Sequence, residues 1–245
     1  MREYLLVATA VVFLHTSSGQ LRNQCRCFPG SDMFYEYATC RLTPNPGMEM
    51  GQNVHGVVRM RQRSCNWCKE AVEISVTVSG LQPSEGVIKN KHGFHVHEFG
   101  DLSGGCASAG GHYNPLNKNH AAPNSTVRHV GDLGNVMDTG SGTINEYFRD
   151  EVVSITGNIG VLGRSMVLHE RADDLGKGGD AESLKTGNAG GRLACCVIGR
   201  ATNTSWVQPT VPLSRRNDSP PQNCSWLIRR WFPQMCNGAV LVGDF

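Results

Sequence analysis

Short runs of alternating apolar and polar residues dominate the chain beyond residue 50. Such alternation is typical of β-strands that bury one face. Loops rich in Gly, Asn and Asp separate the runs, and no internal repeat occurs. Many short strands with turn signals between them predict an antiparallel sandwich or barrel. The runs are residues 54–60, 72–78, 142–148, 152–155, 166–169 and 193–198.

The two ends of the chain differ from this strand-rich region. An apolar stretch from Tyr4 to Leu14 is followed by small polar residues ending at Gly19. This is the pattern of a secretory signal peptide, because the stretch is much shorter than the ~20 residues that span a bilayer. We therefore predict a secreted, extracellular protein without a membrane span. Its predicted parts are a signal peptide (1–19), a Cys-containing N-terminal extension (20–50), a main domain (51–200) and a C-terminal extension (201–245).

Composition narrows the class of protein and of partner. Glycine accounts for 29 of 245 residues, whereas charged residues make up 18% and aromatic residues 7%, which favours a loop-rich β protein over a helical bundle. The net charge of +2 gives no general reason to expect a nucleic-acid partner. The C-terminal extension has four Arg against two Asp. It allows a weak polyanion contact, and the alternative is that its aromatic residues pack on the main domain.

Cysteine usage and glycosylation acceptors agree with secretion. All ten Cys lie beyond Gly19, an even number that allows five disulfides in an oxidising compartment. Asn-x-Ser/Thr triplets occur at Asn124, Asn203, Asn217 and Asn223.

One cysteine pair is ambiguous. Cys65 and Cys68 lie where a hairpin turn is expected. They have the spacing of half a zinc knuckle or of a redox pair, but no second pair of suitable spacing completes a knuckle. We therefore predict a disulfide across or near the hairpin.

Histidines cluster in one part of the chain. His95 and His97 have the i, i+2 spacing that points two strand side chains to the same face, so both can bind one metal. A single histidine of this set is more simply a packed or surface residue, but the set as a whole indicates a metal centre. Six of the nine His and one Asp belong to it: His95, His97, His112, His120, His129, Asp132 and His169.

The ligand types sort into two sites. Three His and one Asp suit tetrahedral zinc, whereas four imidazoles suit Cu(II). Because an imidazolate has two nitrogens, one shared histidine would let these seven residues complete two sites of four ligands each.

Several segments resemble the copper/zinc superoxide dismutase family. The residues GFHVHEFGD at 93–101 and GGCASAGGHYNP at 104–115 resemble its signatures, and residues 129–135, 167–176 and 186–195 match further motifs. Together they cover about residues 51–200, and the flanking extensions look most like those of extracellular members. The resemblance implies an all-β fold, an eight-stranded Greek-key β-barrel (an immunoglobulin-like sandwich). It also implies long metal-binding and electrostatic loops, and we expect disulfide-tethered N- and C-terminal extensions.

The resemblance also implies ligands and a reaction. Superoxide would be dismutated to oxygen and hydrogen peroxide by a copper centre that cycles between Cu(II) and Cu(I), with zinc anchoring the shared histidine. The alternative is a secreted dismutase-like copper-binding protein without turnover. The implied copper ligands are His95, His97, His112 and His169, and the implied zinc ligands are His112, His120, His129 and Asp132.

Further residues are assigned by the same resemblance. His112 would carry a proton in the catalytic cycle, and Arg192 would hold superoxide. Asp173 would accept hydrogen bonds from His95 and His120. Lys185 and Glu182 would shape the field that steers the anion, and Cys106 would form a disulfide with Cys195.

Three features depart from the family pattern. Cys196 stands where most members have Gly, and only one of Cys195 and Cys196 can reach Cys106, because adjacent strand residues face opposite ways. The pairing of the other eight Cys stays open. An insertion at about 84–91 precedes the strand with His95. Arg200 stands where the usual dimer contact is apolar, which argues against that interface, although a homo-oligomer is still expected.

Overall fold

This computed structural model describes residue 27 and residues 32–65, 68–82 and 91–214. The predicted signal peptide, residues 84–90 of the insertion and residues 215–245 lie outside these ranges. No helix of the described ranges is long and apolar enough to cross a membrane.

Eight antiparallel strands form the fold. They are β1 (Met33–Pro44), β2 (His55–Cys65), β3 (Cys68–Ser79), β4 (Lys91–His97), β5 (Asp132–Met137), β6 (Ile144–Asp150), β7 (Ser165–His169) and β8 (Arg192–Val197). A two-residue strand, β9 (Gly199–Arg200), pairs with β1. The helices in the described ranges are α1 (Ser183–Thr186) and 3-10 turns at Glu49–Gly51, Gly105–Ala109 and Asn203–Ser205.

The strand order confirms the predicted fold class. Neighbouring strands follow the order β5-β4-β7-β8-β1-β2-β3-β6, and β5 contacts β6, which nearly closes a barrel. β4 lies beside β7 and β3 lies beside β6, so the chain crosses over twice instead of pairing only consecutive strands. These crossovers are the mark of Greek-key topology.

The barrel begins within the range that the sequence pattern assigns to the N-terminal extension. β1 pairs with β2 along ten positions and with β8 at Thr43 and Pro44, so it joins the two halves of the barrel. Its side chains alternate, with Ala38, Cys40 and Leu42 buried. The sequence pattern assigns this range to an extension outside the main domain, whereas its pairing with β2 and β8 makes it part of the barrel.

Two other strand expectations need correction. Residues 152–155 form no strand ladder, because the side chain of Asp150 accepts hydrogen bonds from the backbone N–H groups of Val152 and Val153 and ends β6 in a turn. β5 was missed, because Asp132 and the residues before it have the composition of a loop.

Three disulfides are described in full. Cys106–Cys195 is present, as the resemblance implies, and Cys196 instead bonds to Cys40 inside the barrel core. Cys27–Cys65 confirms the predicted bridge near the β2–β3 hairpin. Cys68 is also disulfide-bonded, so these hairpin thiols hold no zinc.

Candidate metal centre

Alternate residues of β4 face the hydrophobic core on one side and the ligand site on the other. Phe94 and Val96 are fully buried in the hydrophobic core, and His95 and His97 therefore point to the opposite face. β7 pairs with β4 and ends at His169, which brings this histidine to the same face. The other ligand candidates are His112, His120 and His129, which lie between β4 and β5, and Asp132, which is the first residue of β5.

One ring nitrogen from each of His95, His97, His112 and His169 faces a common point, and these atoms all lie within 4.8 Å of one another. His97 Nε2 is 3.2 Å from His169 Nε2. The buried atoms His95 Nδ1 and His112 Nε2 have no hydrogen-bond partner. Orphaned lone pairs at the centre of an all-imidazole group fit Cu(II).

Hydrogen bonds on the far side of the rings fix their orientation. The Nδ1 of His97 donates to the Gly110 carbonyl at 2.9 Å, and the Nδ1 of His169 donates to the Gly190 carbonyl at 3.3 Å. The Nε2 of His95 donates to Asp173 Oδ2 at 3.0 Å. Each bond leaves the other nitrogen of the ring as an acceptor that faces the centre of the group.

A second group surrounds one carboxylate oxygen. Asp132 Oδ1 lies 2.9 Å from His112 Nδ1, 2.8 Å from His120 Nδ1 and 3.0 Å from His129 Nδ1. A tetrahedral zinc with bonds of ~2.0 Å separates its ligands by about 3.3 Å, so a small outward shift would admit the ion. Asp132 Oδ2 accepts the backbone N–H of His129, which holds the carboxylate in place.

Two side chains connect the groups. His112 presents Nδ1 to Asp132 and Nε2 to the four-histidine group, so it belongs to both. Asp173 accepts hydrogen bonds from His95 at Oδ2 and from His120 at Oδ1, the latter at 2.8 Å. The structure thus brings together all seven ligand candidates and Asp173.

Burial and neighbouring charges shift the pKa values of several imidazole rings in the site. Burial, followed by the charge of His95, lowers the pKa of His112 to about 3. Burial and neighbouring imidazoles also bring the pKa of His97 and His169 well below the ordinary value. Burial alone would lower the pKa of His120, but Asp132 and Asp173 outweigh it and raise that pKa to about 9. Neutral imidazoles are the metal-binding form, so a metal must displace the His120 proton.

A pocket of about 220 Å³ leads to this site. His97, His112 and His169 line it, together with Arg192. The guanidinium of Arg192 donates to the carbonyls of Cys106 at 2.6 Å and Gly110 at 2.7 Å. The Gly110 carbonyl therefore accepts from both His97 and Arg192, and the other carbonyl belongs to a residue of the Cys106–Cys195 disulfide.

The charged residues at the opening of this pocket differ in part from those that the sequence predicts. Glu182 lines the pocket, but Lys185 is exposed on α1 and is not a lining residue. Arg171 lines the pocket and was missed by the sequence reasoning. The one available signal was a cation two residues after His169.

The glycosylation candidates are only partly described. Asn124 and Asn203 are exposed. Asn217 and Asn223 lie outside the described residues.

Comparisons with known proteins agree with this geometry. The profile of the copper/zinc superoxide dismutase (SODC) family matches residues 54–198. Superoxide dismutase [Cu-Zn] A of Xenopus laevis is 53% identical over 147 residues, which are 60% of this chain and 90% of that protein. Extracellular superoxide dismutase [Cu-Zn] of Drosophila melanogaster is 41% identical over 199 residues, which are 81% of this chain and 99% of that protein.

Proposed function

Since the chain belongs to the copper/zinc superoxide dismutase family, we propose that the two ligand groups joined by His112 are its copper and zinc sites. The reaction is the dismutation of superoxide to oxygen and hydrogen peroxide. Bound copper supplies the one-electron chemistry by cycling between Cu(II) and Cu(I). The observation that carries the assignment is that the two nitrogens of His112 face different ligand groups.

In this proposal His112 moves a proton. Its Nδ1 stays beside Asp132, while its Nε2 alternates between a bare acceptor in the four-histidine group and an N–H that donates to the departing peroxide. Burial supports the bare form by lowering the pKa of the ring. Asp173 keeps His95 and His120 in fixed orientations on either side of His112.

Arg192 binds the substrate anion in the same proposal. Its hydrogen bonds to carbonyl groups orient the guanidinium at the pocket wall, where it stays charged and presents fixed donors. Arg171 and Lys185 add positive potential around the opening of the pocket. The negative charge of Glu182 restricts the positions that the anion can occupy there. Such a field raises the encounter rate of small anions.

Metal analysis combined with a superoxide-decay assay tests the assignment. We expect one copper and one zinc per chain, and His112→Ala should lose activity and weaken the binding of both metals. His55→Ala, at an exposed position of β2, is the matched control. Absence of copper binding at full zinc occupancy would refute the assignment. Full copper binding without superoxide decay would instead support the copper-binding alternative, which no described residue favours.

Secretion and glycosylation belong to the same proposal. The Drosophila relative is named as extracellular, and the described disulfides suit an oxidising compartment. We propose cleavage after Gly19 and a glycan on exposed Asn124. The expected result is protein in the culture medium, with a glycosidase-sensitive mass that decreases in Asn124→Gln. Retention inside the cell would contradict secretion, and an unchanged mass would contradict the glycan.

A homo-oligomer is proposed through an apolar patch beside β8. Phe99 is 51% exposed and Val197 is 43% exposed, and Gly100 approaches both Gly163 and Val197. Arg200 is exposed on adjacent β9. Sedimentation should show an oligomer that Val197→Glu dissociates. A monomeric wild-type protein would contradict this proposal.

The C-terminal extension is proposed to contact polyanions weakly through its four arginines. Its described start packs on the barrel, where Trp206 lies over the Arg61 guanidinium and beside Tyr147. Replacing Arg215, Arg216, Arg229 and Arg230 with Gln should abolish salt-sensitive retention on heparin. Equal retention of both proteins would contradict this contact.

A further inference from the structure

A fully buried arginine lies behind the candidate zinc site. Arg128 is the largest side chain in the described ranges with less than 2% exposure. A guanidinium has five N–H donors and a permanent charge, so burying it is unfavourable unless both are satisfied. The partners of Arg128 therefore indicate what its burial achieves.

All but one of the hydrogen-bond acceptors of Arg128 are backbone carbonyls of residues 120–132, the segment that contains His120, His129 and Asp132. Its Nη1 donates to the carbonyls of His129 at 3.1 Å and Asp132 at 3.0 Å, and weakly to Val130 at 3.4 Å. Its Nε donates to the Pro123 carbonyl at 3.1 Å. Arg128 therefore connects Pro123, near the start of this segment, to Asp132 at its end.

The remaining partner anchors the guanidinium to the barrel. Its Nη2 donates to Asp150 Oδ2 at 2.5 Å. The other oxygen of Asp150 accepts the N–H groups of Val152 and Val153. Asp150 is the last residue of β6, so the carboxylate is fixed before any metal binds.

We propose that the buried Arg128–Asp150 pair is a positioning device for zinc binding, which holds the backbone of His129 and Asp132 in the coordinating arrangement. The inference rests on the proposed zinc site. The arginine does not touch the ion, and it acts through carbonyl groups whose own residues supply the ligands. Preordered ligands bind a metal more tightly, because less of the segment has to be fixed on binding.

Two variants test the pair. Asp150→Asn keeps the oxygen that accepts from Val152 and Val153 but turns an amide N–H toward the guanidinium. Arg128→Lys keeps the charge but loses the planar fork that reaches several carbonyls. We expect each to weaken zinc binding to the full chain by about 10–100-fold, measured by competition with a chromophoric chelator. Copper binding at the four-histidine group should stay close to that of the wild type.

Cobalt provides a spectroscopic readout. Co²⁺ bound in the zinc site should give an altered visible spectrum in both variants, because coordination geometry sets that spectrum. Arg61→Lys is the matched control, since Arg61 pairs with Glu73 on the outer face of the barrel. This control should change neither zinc affinity nor the cobalt spectrum.

The outcomes separate the inference from the function on which it rests. Unchanged zinc affinity in a folded Asp150→Asn protein would overturn the inference, even if its unfolding temperature falls. A wild-type protein that binds no zinc would instead refute the proposed zinc site. If Arg128→Lys fails to fold, Asp150→Asn alone decides.

Discussion

Removing the Cys40–Cys196 disulfide should destabilise the barrel by about 4 kcal/mol. The bond joins β1 to β8, which share only two paired positions, Thr43 with Cys195 and Pro44 with Ala194. It spans 156 residues of chain. Because Cys106–Cys195 remains, the covalent path that the bond closes is shorter, roughly 70 residues, and the chain-entropy model for that length gives the stated loss.

Equilibrium urea unfolding of the metal-free protein without reductant measures the effect. Metal removal matters, because ions that bind only the folded state would add their own stabilisation. Cys40→Ala, Cys196→Ala and the double variant all lack the same bond. The free energy of unfolding should therefore fall by a similar amount in all three. A loss below ~1 kcal/mol, or additive effects of the single substitutions, would refute the reasoning.

Three further perturbations concern the mouth of the site and the end of the barrel. Arg192→Ala should slow superoxide decay by at least about tenfold with unchanged metal content, and an unchanged rate would exclude its role in binding the anion. Arg171→Ala should slow decay at low ionic strength and approach the wild-type rate in high salt, where surface charges are screened; a salt-independent difference would contradict steering. Burial alone would raise the pKa of Glu36, but hydrogen bonds from Lys69 and Thr156 outweigh it and lower that pKa. A carboxylate with a lowered folded pKa stabilises the protein above its ordinary pKa and loses this effect as pH falls through the folded value. Denaturation at neutral pH and at about pH 3.5 should therefore show a smaller acid-induced loss in Glu36→Gln than in the wild type; equal losses would contradict this account.

Local pattern accounts for the strands that carry the chemistry. The alternation around His95 and His97 predicts a strand with two ring systems on one face, and β4 has that form. The same reasoning misses β1 and β5: β1 lies in a range whose Cys, Pro and Gly residues predict an extension, and β5 pairs with β4 across a loop of more than 30 residues. Polar and Gly residues near Asp132 satisfy loop criteria just as well as strand criteria.

Cysteine pairing is likewise only partly predictable from the sequence. The opposite directions of Cys195 and Cys196 follow from the pleat of any strand, so the sequence predicts that they cannot share a partner. Only the barrel brings Cys40 to Cys196, because the two residues meet across the seam between β1 and β8.

The sequence by itself determined the ligand chemistry, the β class of the fold and the family resemblance, since residue type and strand period are local properties. The tertiary structure decided which nitrogen of each ring faces which group, and it revealed Arg171 at the pocket and Arg128 behind Asp132. Those relations have no local signal. They arise when long loops close on a barrel whose buried polar groups must each find a partner.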